Sequence, residues 1–180
     1  MTDRKREAGK RVRENGIVVA TKKNVCIQGS RANFTGKTLE NYVEDMLVAR
    51  GAYPVLFSAW VNDRVVVPGW AKKVLYKQVP YTKLWGLNGR SDFVIETDKL
   101  GSVRIDVRYQ GVAGSVEEKA PYLIDTAEKC YPEKNVIIVL DGAGVKPEVR
   151  KWMEDKATAI KHKTVRVMSK VQFTAWALTV

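Results

Sequence analysis

Four polar residues near the middle of the chain are spaced to place carboxylates, a cation and an amide on one side of a hairpin. Asp106, Arg108 and Gln110 follow one another at every second position in the stretch Arg104-Ile105-Asp106-Val107-Arg108-Tyr109-Gln110. In an extended strand they share one face, while Ile105, Val107 and Tyr109 share the other. Upstream, Asp92 stands in a second alternating run, with Phe93 and Ile95 on the apolar side. Thr97 to Gly101 reads as the turn of a hairpin. Centring that turn on Lys99 sets Asp92 opposite Asp106, with Cβ atoms roughly 4.5–5.5 Å apart. Like charges facing each other destabilise a hairpin, so a compensating charge is expected. A divalent cation supplies one: Mg²⁺ takes one or two carboxylates together with waters and phosphate oxygens. The same pattern also suits an ordinary half-exposed hairpin with a polar outer face.

Composition narrows the classes. The chain has 180 residues, 45% hydrophobic and 28% charged, which fits one globular domain with a proper core. No apolar run approaches the roughly 20 residues of a membrane helix, and the N-terminus has no secretory pattern. Cys26, Cys130 and the single His162 make no zinc site and no His-based triad. A reducing, cytoplasmic setting is expected. The net charge of +11 points to a polyanionic partner, nucleic acid first.

The elements that would hold the hairpin can be read in order. Residues 1–15 form a basic arm with the composition of disorder, and 16–180 a single domain. Ile17 to Ile27 contains an apolar run compatible with a strand. Gly36 to Arg50 is the clearest helix, with a stripe of Leu39, Tyr42, Val43, Met46 and Leu47. Glu40 and Glu44 share a neighbouring face. Tyr53 to Val67 reads as one or two strands. From Pro68 to Gly89, Lys72, Lys73, Lys77 and Lys83 alternate with Trp70, Tyr76, Tyr81 and Trp85. Such a mixture tracks phosphates and stacks on bases, or else belongs to the core. Ser115 and Glu118 have capping spacing, but Pro121 argues for a helix starting near Pro121 and running to Cys130. Val136 to Leu140 is a buried strand, so Val103 to Leu140 makes a βαβ crossover. An amphipathic helix over Glu148–Ile160, a strand over Val165–Met168 and a short helix capped by Ser169 and Gln172 complete the chain.

Several of these pieces together resemble the PD-(D/E)XK nuclease superfamily, in particular its small phage and bacterial members. The resemblance runs from the first helix to the C-terminus. Its marks are Gly36, Leu39 and Glu40; Pro80, Tyr81, Gly86 and Gly89 through Phe93; Ile105, Asp106 and Gln110; Gly114 through Lys119 with Pro121, Tyr122 and Leu123; and Leu140 through Gly144. Gly-Ser-Val-Glu-Glu-Lys-x-Pro-Tyr-Leu is the most specific of them. The resemblance implies an α/β fold of restriction-endonuclease type, with a central mixed sheet of about four or five strands flanked by helices. It implies a Mg²⁺-dependent endonuclease acting on DNA (Mn²⁺ also serving), with a homodimer as one arrangement. Asp92, Asp106 and Glu40 would hold the metal. Arg108 stands where the family has lysine, and Arg is effectively never deprotonated. Arg108 or Lys119 would then stabilise the phosphate charge, and Gln110 would orient water or backbone. The same departure leaves a non-catalytic DNA-binding protein of nuclease descent as the alternative.

Overall fold

The computed structural model describes residues 27–112 and 114–180, with the side chains of 27–35, Ser115 and Val116 excepted. The expected basic arm and most of the Ile17–Ile27 run lie outside the described residues. The element order is α1 (Ile27–Val48), β1 (Tyr53–Leu56), α2 (Phe57–Val61), β2 (Lys73–Thr82), β3 (Asn88–Thr97), β4 (Gly101–Tyr109), α3 (Ser115–Lys129), β5 (Asn135–Asp141), α4 (Pro147–Ala159), β6 (Thr164–Met168) and α5 (Lys170–Ala177).

The six strands form one sheet in sequential order. The meander β2-β3-β4 is antiparallel, while β1 runs parallel to β2, and β4, β5 and β6 run parallel to one another. The sheet has six strands against the expected four or five, with Tyr53–Leu56 and Thr164–Met168 at its two edges. Helices cover both faces. On one, Leu39, Val43 and Leu47 of α1 and Phe173 and Ala177 of α5 pack against Leu75, Phe93, Ile95, Ile105 and Val107. On the other, Ala120, Leu123, Ile124 and Ala127 of α3 and Met153 and Ala157 of α4 pack against Val136, Ile138 and Leu140.

The β3–β4 register is as the alternation predicts: Phe93 faces Ile105, Ile95 faces Val103 and Thr97 faces Gly101. The polar face, however, is buried, with Asp92 8% exposed, Arg104 1% and Asp106 2%. The crossover packs α3 onto it, which is why the carboxylates end up in the interior rather than at a wet surface.

Other boundaries move for identifiable reasons. Helix α1 begins at Ile27, before the glycine that starts the apolar stripe. Residues 57–61 are helical rather than extended, which brings Phe57 and Trp60 onto one side, against the Tyr76 ring at 6.0 and 5.0 Å. Helix α3 starts at Ser115 and continues through Pro121. The carbonyl that Pro121 leaves without its helical donor belongs to Glu117, on an exposed turn. The Ser169–Gln172 capping box forms as read, with Ser169 Oγ accepting from Gln172 N at 3.2 Å and Gln172 Oε1 from Ser169 N at 2.7 Å. A cap of this kind contributes about 1 kcal/mol to its helix.

Candidate active site

Strands β3 and β4 are paired from Phe93–Ile105 to Thr97–Gly101 and part beyond that point. Asp92 and Asp106 stand at the parting. Instead of a ladder bond, the Asp92 carboxylate inserts: its Oδ2 accepts from Val107 N at 2.7 Å. On the other side of β3, Lys77 pairs with Phe93 and Val79 with Ser91, which sets Gln78 opposite Asp92 without a bridge between them. Gln78 has φ 56°, a left-handed conformation uncommon for a side chain of this kind. Tyr76 and Val79, three residues apart, join the same core cluster, so the alternation of β2 slips by one at Gln78. Ser91, Val94 and Arg104 show the matching slip in β3. Val94 faces Arg104 in register, and the Ser91 hydroxyl still reaches Arg104, accepting from its Nη1 at 2.7 Å. Asp92 sits at this double slip, which turns its side chain out of the regular pleat. Nothing in Lys77-Gln78-Val79 announces this; it reads as plain strand.

Arg108 closes over the two carboxylates. Its Nη2 donates to Asp106 Oδ2 at 2.7 Å, its Nη1 to the Val107 carbonyl at 3.0 Å, and Nη1 lies 3.8 Å from Asp92 Oδ2. The compensating charge expected between the aspartates is therefore present in the chain itself. It is incomplete. Asp106 Oδ1 and the Tyr131 hydroxyl are both buried, and among the described residues neither makes a hydrogen bond of good geometry, although the hydroxyl is near enough to the carboxylate to offset part of the rise in its pKa. Burial, followed by the Asp106 charge, pushes the Asp92 carboxyl up to about 7, against the opposing pull of Arg108 and the Val107 N–H. Burial likewise raises Asp106, and Arg108 only partly offsets it. Burial, then Asp106, raises Tyr131. Arg108 would be lowered by burial alone, but the two carboxylates hold it above its ordinary value.

The remaining sequence-predicted residues are less tightly gathered. Glu40 projects from α1 close enough for its charge to act on Asp92, and it pairs with Lys37 at 3.2 Å. Among the described residues no group of three or more His, Cys, Asp and Glu side chains comes together, so Glu40 does not complete a carboxylate triad. Gln110 donates from Nε2 to the Val112 carbonyl. Its backbone is bonded to Asp141 and Gly144 at 2.8 Å each. The Leu140–Gly144 motif thus folds over the end of β4. At Gly142, φ is 115° and a Cβ would overlap the Gln110 carbonyl, so only glycine fits. Lys119 is exposed in the N-terminal part of α3 and makes no ion pair among the described residues.

Residues outside the sequence reading shore up the site from below. Arg104 donates to Glu133 through Nε at 2.5 Å and Nη2 at 2.8 Å, and its guanidinium lies 4.8 Å from the Tyr131 ring centroid. Tyr131 meets Tyr81 edge to face at 4.8 Å. The Tyr81 ring lies over Gly89, where a Cβ would come within 2.6 Å of it. This contact gives a packing reason for the glycine of the Gly89-Arg90-Ser91 motif. The signal for Arg104 was an arginine in a strand that alternates on both sides, but its partner lies 29 residues away and leaves no local trace.

A mixed sheet with helices on both faces, holding two buried carboxylates and a cation at the fork of its antiparallel strands, is a restriction-endonuclease-like fold. The chain belongs to the PD-(D/E)XK nuclease superfamily, whose domain it matches over residues 31–180. No curated protein and no solved structure matches it. Nucleases of this superfamily generally use divalent metals. The donor set here fits one: two all-oxygen ligands, one with an unpartnered oxygen, in a place where net negative charge remains costly.

Proposed function

We propose that the protein is a metal-dependent endonuclease that hydrolyses phosphodiester bonds of DNA. The observation that carries this reading is the unpartnered Asp106 oxygen beside Asp92, under a guanidinium, where the sheet opens. Asp92 and Asp106 would hold Mg²⁺ or Mn²⁺, with Glu40 adding charge from α1. The ion, when bound, supplies Lewis acidity toward the scissile phosphate and lowers the pKa of water. The chain's own residues do the rest. Val107 N–H fixes the Asp92 carboxylate. Arg108, with its side chain 39% exposed, presents a permanent positive charge toward an incoming phosphate and stabilises the charge that develops on it. Gln110 braces the strand end, and Lys119 is exposed on α3 without an ion pair among the described residues. The surplus of eleven positive charges favours a polyanionic substrate.

The test is nicking of supercoiled plasmid with Mg²⁺ or Mn²⁺. Cleavage that EDTA abolishes is expected. Asp106→Asn should lose cleavage while binding DNA as tightly as wild type or tighter, since one negative charge facing the phosphate is gone. Nicking by Asp106→Asn at the wild-type rate would remove Asp106 from the reaction.

A second reading is favoured by one observation: Arg108 already bonds Asp106 and lies near Asp92, as a resident counter-ion would in a non-catalytic DNA-binding protein. Wild type that binds DNA but leaves duplex, branched and single-stranded substrates intact with either metal would select it.

A further inference from the structure

Of the four aromatic residues interleaved with lysines between Pro68 and Gly89, two are absorbed by the core: Tyr76 is 7% exposed, and Tyr81 packs on Tyr131. Trp70 is exposed but meets Tyr53 edge-on, at 87°. Trp85 is different. It sits at the turn joining β2 to β3, 72% exposed. Its indole lies nearly parallel to the Tyr122 ring of α3, 7° between planes and 5.2 Å between centroids. One face of the indole is thus backed by a second ring, and the exposure leaves the other to solvent.

The turn that presents it is ordered. Lys83 N bonds the Leu87 carbonyl at 2.8 Å, and Gly86 N bonds the Lys83 carbonyl at 2.9 Å. Exposing a tryptophan this way forgoes burial that the fold would otherwise use. Two lysines lie near the stack in the chain: Lys83 two residues before Trp85 in the turn, and Lys119 three residues before Tyr122 on α3, on the neighbouring strip of helix surface. The turn leads directly into β3, which carries Asp92 at its fifth residue. The span from Asn88 to Asp92 is about 13 Å.

We propose that the Trp85–Tyr122 stack is a platform for one unpaired base of the substrate, beside the scissile phosphate. The preferred DNA is then one with an unpaired stretch beside the cut, not continuous duplex. This deepens the nuclease reading and rests on it only for the position of the cut. A base has a π-face whatever its identity, so the platform selects for an unpaired nucleotide and not for sequence. In paired duplex the bases are already stacked on their neighbours and offer no free face to the indole.

The experiment uses the full chain in EDTA, so that binding is read without turnover. Two DNAs of one sequence are compared, a continuous duplex and a duplex with a short bulge carrying a fluorescent adenine analogue whose emission falls on stacking. Wild type is expected to bind the bulge about tenfold more tightly than the duplex, with quenching. Trp85→Phe should keep most of both effects. Trp85→Ala should erase the preference and the quenching while its duplex affinity and thermal midpoint stay at wild-type values. Wild type with no preference, or Trp85→Ala that weakens both DNAs equally, would overturn the platform. The two readings separate cleanly. A bulge preference that depends on Trp85 in a protein that never cuts would leave the platform standing without the nuclease, and metal-dependent cutting indifferent to Trp85→Ala would do the reverse.

Discussion

Strand β4 carries two arginines four residues apart, and the protein treats them in opposite ways. Arg104 is 1% exposed, and each of its three guanidinium nitrogens has an acceptor. Glu133 takes two of its hydrogen bonds, the Ser91 hydroxyl a third and the Val79 carbonyl a fourth, and the Tyr131 ring lies across it. Arg108 is 39% exposed, and it spans two carboxylates it cannot neutralise fully, leaving Asp106 Oδ1 without a well-formed donor among the described residues. The first pair is closed, with matched charge and nothing left to bind. The second has surplus negative charge, an unused oxygen and an opening to solvent. Both are buried ion pairs by location, but only the unsatisfied one has a use for a further cation or a phosphate. The contrast shows how a structural pair can be told from a functional one: by counting unmet hydrogen bonds rather than by burial.

The comparison can be broken at three levels. Cutting the closed pair should have the largest effect on folding. Arg104→Met strands Glu133 and is expected to cost about 3–5 kcal/mol, read as a lower midpoint in urea. A loss below 1 kcal/mol would mean the Arg104 network is no more than packing. At the open pair the effect should appear in the reaction. Arg108→Ala should slow single-turnover nicking by about one to two orders of magnitude, or ~1.4–3 kcal/mol. Arg108→Lys should retain or raise it, because the guanidinium bonds Asp106 through a single nitrogen and a compact ammonium can replace that. A drop with Lys as large as with Ala would show that the fork itself clamps the phosphate. Lys119→Ala should leave nicking of plain duplex unchanged.

The smallest effect is on pH dependence. Asp92 and Asp106 both hold their protons above the ordinary carboxylate value of about 4. Between that value and about 7 the folded chain therefore binds more protons than the unfolded one. The stabilisation from these groups is complete at the acid end and is lost as pH rises through the folded pKa. The thermal midpoint should fall by a few degrees from about pH 5 to about pH 8. Mg²⁺ should restore part of it at the alkaline end by binding the folded form. In Asp106→Asn both the fall and the restoration should shrink. A wild-type midpoint that is flat in pH and indifferent to Mg²⁺ would make the open pair as self-sufficient as the closed one.

What could be read in the sequence follows the range of the interactions. The hairpin register was legible because period-two alternation on both sides of a short turn leaves a single way to bury Phe93, Ile95 and Ile105. It brings Asp92 and Asp106 near each other, although the ladder stops one pair short of them, at Phe93–Ile105. Also legible was the α5 capping box, whose partners are three residues apart. Family membership was legible from the Gly-Ser-Val-Glu-Glu-Lys block and the glycines of the Gly89 and Gly142 segments, which the structure explains by close backbone and ring approach. Hidden were features set by distant parts of the chain. The partner of Arg104 comes from beyond α3. Residues 57–61 become helical because Tyr76 waits to receive Phe57 and Trp60. Gln78 takes a left-handed conformation that no residue near it requires. The burial of the polar face also depends on α3 packing over it, and Pro121 taken alone argues against that helix starting at Ser115.

The sequential strand order has a consequence for how the chain reaches its native state. Every neighbour in the sheet is also a neighbour in sequence, and the antiparallel part, β2-β3-β4, is joined by short turns. Local pairings close with little loop entropy, whereas the parallel pairing of β4 with β5 must wait for a long crossover. The meander is therefore the natural folding nucleus, and it brings Asp92 and Asp106 together while their face is still wet. Dehydration of the two charges comes later, when α3 and Tyr131 settle over them. Replacing either aspartate by its amide should thus slow unfolding more than it speeds folding, since the relief is felt only after the barrier has been crossed.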